Sequence, residues 1–391
     1  MSHAAPVVSP QRRGSTLQPW RAASRMLAFM LAAILTWPLA VFAQHPGDVP
    51  PWPDTGEPPC ADVEASLHDA CESREAAREA LRARTSREYH AWLANRLVED
   101  GGARNLAIAA QLRAMSLSGA LFDNGESLPE IETDARISSW VAQATREGQD
   151  DGLVLMLLNR RLSTSDDARL AALRMQWQRI DPGNFMPAMF VAEARASGLD
   201  GLPELARGFS KFNVHFVEQL RVVVDAFERH PPDSEQASIL LEGEVSTLRR
   251  YAATVGVFMI EFPRFVDAMN ACRGDALTRT RERRKDCQHL GELFADRSDT
   301  LIAHAIGLAI LARSADDDAA REAIEARRRL IQWQMGQWQL LSLEPPTAEA
   351  EDAAVRALST ATSEIDLMHA GLKHHGIDLI PSPCWKHNPL Q

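Results

Sequence analysis

The 391-residue chain contains only two tyrosines, and no stretch of it alternates apolar with polar residues as a half-buried strand requires. That excludes a sheet protein. Lysine occurs only at Lys211, Lys285, Lys373 and Lys386, so the 42 basic residues are nearly all arginine, a coding bias to which no function attaches. Acids outnumber bases, 53 to 42, and the basic footprint that nucleic-acid binding needs is missing. There is no Gly-x-Ser-x-Gly, no His-Glu-x-x-His, no Walker loop and no dinucleotide fingerprint, and no cofactor is implied. Each of these motifs fixes a nucleophile, a metal or a phosphate by its spacing. Without them, only an enzyme lacking a local signature is left open.

The N-terminal region carries an address. Residues 26 to 43 form an apolar run that follows Arg12, Arg13, Arg21 and Arg25, with no acid before it. Val41 and Ala43 suit the positions three and one before a signal-peptidase cut, so the mature chain is expected to begin at Gln44. An uncleaved anchor is the rival reading, because eighteen residues can just cross a bilayer; Pro38 near the end of the run argues for cleavage. A start at Met26 would leave no basic region. No cysteine follows the run, which argues against a lipid anchor. The expected location is periplasmic or secreted, with no stable membrane span after cleavage. Removal takes four bases and no acid, leaving 38 bases against 53 acids.

All five cysteines, Cys60, Cys71, Cys272, Cys287 and Cys384, lie in the exported part, where disulfides persist. A Cys60 to Cys71 bridge requires the Pro58-Pro59 segment to fold back. Cys272 and Cys287 flank a polar stretch, Arg273 to Asp286, that reads as loop for much of its length, and this pair is the favoured bridge.

The segment 44–60 is too rich in proline for helix or sheet and reads as a tether. From Asp62 onward the pattern is helical: the chain is expected to be all-α. Residues 61–230 read as short paired helices, including 84–99, 105–115, 137–147, 153–162, 166–179 with Ser165 as N-cap, and 186–196. Pro231-Pro232 marks a boundary, with Asp233 or Ser234 capping the next helix. Residues 231–391 read as a bundle of longer helices: 235–262, a wholly apolar helix over 300–312, a long one reaching Leu341, and 348–375 closed by Gly376.

Ala171, Ala172 and Trp177 precede Asp181-Pro182-Gly183-Asn184, and Ala188, Ala192 and Ala194 come after it. This segment resembles the turn between repeats of tetratricopeptide-like proteins, where small residues let neighbouring helices approach. The resemblance implies an antiparallel pair with Ala172 facing Ala192. The wider chain, including residues 210–216, is similar in layout to exported helical proteins of Gram-negative bacteria, which implies a location and no activity.

Few residues invite chemistry. Glu261, in Val-Gly-Val-Phe-Met-Ile-Glu-Phe-Pro, is the candidate catalytic acid, since burial raises a carboxylate's pKa; pairing with Arg264 is the structural alternative. A glycosidase needs a second carboxylate opposite, and Glu242 and Glu244 are too far along the same expected helix. Asp366 and His369, spaced i, i+3, are the candidate metal ligands, with Cys384 and His387 as additions if the tail folds back. Lys373, His374, His375 and Gly376 equally suit a helix C-terminus. His304 stands alone in an apolar helix and reads as a core histidine bonded to a carbonyl. Trp177, Trp333 and Trp338 read as packing, and Arg281 to Lys285 as a solvated face. The leading expectation is an exported helical-repeat protein that presents a protein- or peptide-binding surface. A cell-envelope hydrolase at Glu261 and an acidic inhibitor of a basic enzyme are the alternatives.

Overall fold

The computed structural model describes residues 65–118, 133–162, 167–194, 199–241, 248–343 and 347–381. The signal segment, the tether, Cys60, Ser165, Glu242, Glu244, Cys384 and His387 lie outside these, as does the side chain of Cys71. Among the described residues there are seventeen α-helices and no strand, so the fold is all-α. None of these helices is long and apolar enough to cross a membrane.

Helix α1 (Ala65–Asp100) buries one stripe, Thr85, Ser86, Tyr89, His90, Leu93, Ala94 and Leu97, at the spacing that puts residues on one helical face. That stripe packs on α2 (Ala103–Ser118), which Gly101 and Gly102 allow to come directly after it by adopting positive φ. Then come α3 (Ala135–Glu147), α4 (Gly152–Leu162), α5 (Asp167–Ile180) and α6 (Phe185–Ala194). In α4, Leu153 through Asn159 are all buried, and Gln111 of α2 donates to the Leu157 carbonyl at 2.6 Å. The small-residue expectation fails on one side: α5 and α6 touch, but Ala171 and Ala172 face solvent, and α5 turns Leu170, Leu173, Arg174 and Trp177 inward. Larger apolar side chains bury more area than alanine, and they decide which face of α5 points in.

After the short α7 (Leu202–Ala206) and α8 (Phe216–Arg229), Asp233 caps α9 (Ser234–Leu240) in a capping box with Gln236. The single helix expected over 235–262 does not form. α9 ends at Leu240, α10 (Leu248–Phe258) stops short, and 259–264 run as a non-helical connector into Pro263. The stretch between the cysteines also departs from expectation. It folds as α12 (Gly274–Thr278), after α11 (Phe265–Ala271), and as the first turns of α13 (Arg281–Asp296). The bridge itself is present: Cys272 and Cys287 are joined with Cα atoms 5.6 Å apart.

Helices α13 and α14 (Leu301–Ser314) cross in close contact. A side-chain carbon on Gly307 would stand 2.3 Å from the Ala295 nitrogen and 2.6 Å from the Gly291 oxygen, so only glycine permits the approach. The long α15 (Asp318–Leu343) lies on α14, and the last expected helix is split into α16 (Ala348–Thr360) and α17 (Glu364–His374). The split has a local cause, since Ser363 and Asp366 form a capping box that starts a new helix. Gly376 adopts φ +69° just past α17, as the C-terminal pattern anticipates.

One apolar core extends from Tyr89 to Ala361. It contains a polar relay: the Tyr251 hydroxyl lies 2.8 Å from Ser86 Oγ and 2.9 Å from His90 Nε2, and the two rings stack with centroids 5.9 Å apart. Burial pushes the His90 imidazole down to about 4.

Candidate functional site

Glu261 sits on the connector between α10 and α11, not on a helix. Its carboxylate accepts from Asn159 Nδ2 at 2.7 Å; Asn159, fully buried in α4, accepts in turn from Arg174 Nε at 2.8 Å. Arg174 also donates to the Phe190 carbonyl at 2.9 Å, and its guanidinium lies 5.0 Å above the Phe190 ring. Two more carboxylates approach. Glu193 at the end of α6 accepts from the Arg264 amide, and Asp267 Oδ2 lies 3.3 Å from Arg264 Nε. Burial raises the Glu193 pKa, the Arg264 amide opposes the rise, and the charges of Asp267 and Glu261 add to it. The second carboxylate that acts electrostatically on Glu261 is therefore Glu193, from α6. Sequence reasoning looks for it along the helix of Glu261 and misses Asn159, Arg174 and Glu193, which have no fixed spacing from residue 261.

A second polar centre surrounds His215. Asn184, the last residue of the Asp-Pro-Gly-Asn turn, donates to the Asn213 carbonyl at 2.8 Å and accepts from the Asn213 amide at 3.0 Å. Asn213 accepts from the His215 amide at 2.8 Å, and the Asp299 carboxylate accepts from the amides of Val214 and Phe216. Those bonds hold His215 at φ +56°, where it is the only described non-glycine residue with positive φ. Such backbone strain persists where surrounding contacts over-determine it.

His215 Nδ1 lies 3.1 Å from Glu218, and Arg104 bridges Glu218 and Asp151, each at 2.6 Å. The hydrogen bond from His215, with help from Arg104, pulls the Glu218 carboxyl down to about 2 against the cost of burial. Glu218 is thus an anion at neutral pH. An ionised carboxylate can only accept, so Nδ1 is the donor between the pair. His215 Nε2 and Trp177 Nε1 are both buried without a hydrogen-bond partner among the described residues, and both lie within 4 Å of where a side-chain carbon on Gly152 would stand. Nε2 points at the start of α4 and is shut off from solvent.

The metal candidates are spread over other tasks. Asp366 accepts from the amides of Thr362 and Ser363, each at 3.0 Å, and from the Thr362 hydroxyl at 2.7 Å. His369 Nε2 lies 3.2 Å from Gln334 Oε1. Among the described residues, no three His, Cys, Asp or Glu side chains are grouped to hold a metal. Burial lowers the His304 pKa, and a bond to the Ala295 carbonyl opposes the shift. Comparison of the chain with protein-family models, with curated proteins and with solved structures gives no match.

Proposed function

We propose that this chain is an exported helical-repeat protein that presents a binding surface to a protein or peptide of the cell envelope and acts without catalysis. One observation carries the reading. From Glu72 to Arg84, α1 is exposed nearly all round: only Glu79 and Ala83 are even half-buried. A helix of that length gains little from propensity alone and is marginal in water. This one adds nothing to the core, and Glu72, Glu75, Arg78, Glu79 and Arg82 each make a polar or electrostatic contact. Leu81 is its largest exposed apolar residue. Such a segment suits contact with another chain.

The test compares the mature protein, residues 44–391, with a variant carrying Arg78→Glu, Leu81→Asp and Arg82→Glu. Both are immobilised in envelope extract, and retained proteins are identified by mass spectrometry. A partner held by the parent and lost by the variant, at equal melting temperature, is the expected result. Identical retention, or none, removes the reading. N-terminal sequencing of the fractionated protein should begin at Gln44; an intact Met1 in the membrane pellet would overturn export with cleavage.

A cell-envelope hydrolase is the second reading, favoured by the approach of Glu193, with its raised pKa, to Glu261. It requires release of soluble products from purified cell wall, lowered about a hundredfold or more by Glu193→Gln and by Glu261→Gln. No release by the parent protein would end it.

A further inference from the structure

The arginines around the disulfide are unusual in an acidic chain because several of them have no acid. A surface cavity of about 310 Å³ is lined by Leu277, Thr278, Thr280, Arg281, Arg284 and Asp316. Several acids of the region are taken by other arginines: Asp286 by Arg207, Glu204 by Arg283, and Asp200 by Arg279 at 3.7 Å, while Asp275 and Glu282 form no ion pair among the described residues. Among the described residues Arg281 and Arg284 have no carboxylate within ion-pairing distance, and neither do Arg273 and Arg313 close by. The last two act on one another: the Arg313 guanidinium is pushed down first by burial, then by the charges of Arg328 and Arg273, with no acid opposing them. Arg328 is itself paired, to Glu325 at 2.7 Å. Asp316 is the one carboxylate on the cavity wall.

We infer that this cavity binds a phosphate-type oxyanion, held by Arg281 and Arg284 with Arg313 and Arg273 supplying further positive potential. Guanidinium forks match phosphate oxygens two at a time, and several unpaired cations exceed what a single carboxylate can neutralise. The positive end of α13 reaches the same wall through Thr280 and Arg281. The Cys272–Cys287 bridge closes the segment that carries Arg273, Arg281 and Arg284, so the guanidinium stems are pre-positioned before any ligand arrives. Since the whole chain is negative, attraction of an anion here must be local and strongly salt-dependent.

A free phosphate and a phospholipid headgroup offer the same chemistry, and two arms of one experiment separate them. Oxidised mature protein at low ionic strength is titrated with inorganic phosphate by calorimetry, and separately floated with phosphatidylglycerol or phosphatidylcholine vesicles. Arg281→Gln and Arg284→Gln are the test variants, and Arg329→Gln, which removes an exposed pair with Glu322, is the control. Saturable phosphate binding, about tenfold weaker in each test variant and unchanged in the control, supports a site for a free anion. Flotation with phosphatidylglycerol alone, lost in the test variants, supports a headgroup site. Binding of neither ligand, or binding that survives both test substitutions at native melting temperature, overturns the inference.

Discussion

His90 and Glu364 respond to pH in opposite directions, and each can be read separately. The His90 pKa falls from 6.5 to about 4 on folding, so the unfolded chain takes up its proton first as pH drops. The stability contributed by neutral His90 is complete above pH 6.5 and is lost as pH falls towards 4, by on the order of a few kcal/mol. His90→Gln keeps a hydrogen-bond partner for Tyr251, and its melting temperature should vary less than the parent's across that window. Glu364 accepts from the Leu301 amide at 2.7 Å, and burial, with the charge of Asp299 added, pushes it up to about 7. Here the folded chain holds the proton more tightly. Ionisation therefore costs stability as pH rises from 4.5 to 7, and Glu364→Gln should gain on the parent at pH 8 while matching it at pH 4. Equal pH profiles for parent and variant would mean that the side chain is solvated. Neither residue draws attention in the sequence: their burial is made by Tyr251 for His90, and by Leu301 and Asp299 for Glu364, all far along the chain.

At the scale of helices, composition and periodicity locate most elements, and the errors have physical causes. A capping box at Ser363 splits a stretch whose apolar spacing is continuous, and the helix expected over 235–262 is broken after Leu240 and stops at Phe258, short of Pro263. The helix pair around Asp181-Pro182-Gly183-Asn184 is legible, but its facing residues are not, because the resemblance assigns small residues to the buried side of α5, where Leu170, Leu173 and Trp177 lie while Ala171 and Ala172 are exposed. Ala192→Trp should cost about 1 to 3 kcal/mol by overpacking, whereas Ala172→Trp on the exposed side should cost little in a thermal melt. The α13–α14 crossing allows a sharper contrast. Gly307→Ala places a methyl against main-chain atoms that no rotamer change can relieve, and a loss of about 3 kcal/mol or failure to fold is expected. Gly336→Ala meets nothing within 4 Å on the exposed side of α15 and should stabilise by about 0.5 to 1 kcal/mol. Urea denaturation of both variants checks the pair.

For the whole molecule, the all-α class and the Cys272–Cys287 bridge can be read from the sequence, though the bridge spans helix where loop is expected. The candidate centres cannot. Glu261 is assembled with residues from α4, α5 and α6, and His215 with residues from α1's neighbour α2, from α5 and from the turn before α14, and no spacing rule links them. Patterns along a chain report which face of an element is apolar, but not which elements meet.

The bonds at Asp299 bear on where the chain can be cut. Its carboxylate holds the start of α8, its carbonyl accepts from the Glu364 amide at 2.9 Å, and Phe212 donates to the neighbouring Arg297 carbonyl at 3.0 Å. Residues before and after Pro231 are thus stitched through main-chain partners that neither side can replace alone. Severing the chain between Pro231 and Pro232 should give two fragments that are insoluble apart and co-purify when expressed together. If residues 44–231 fold alone, with a cooperative melt, the stitching is dispensable and the two sides are autonomous. If they do not, a break at this surface proline pair would leave the protein nicked but whole.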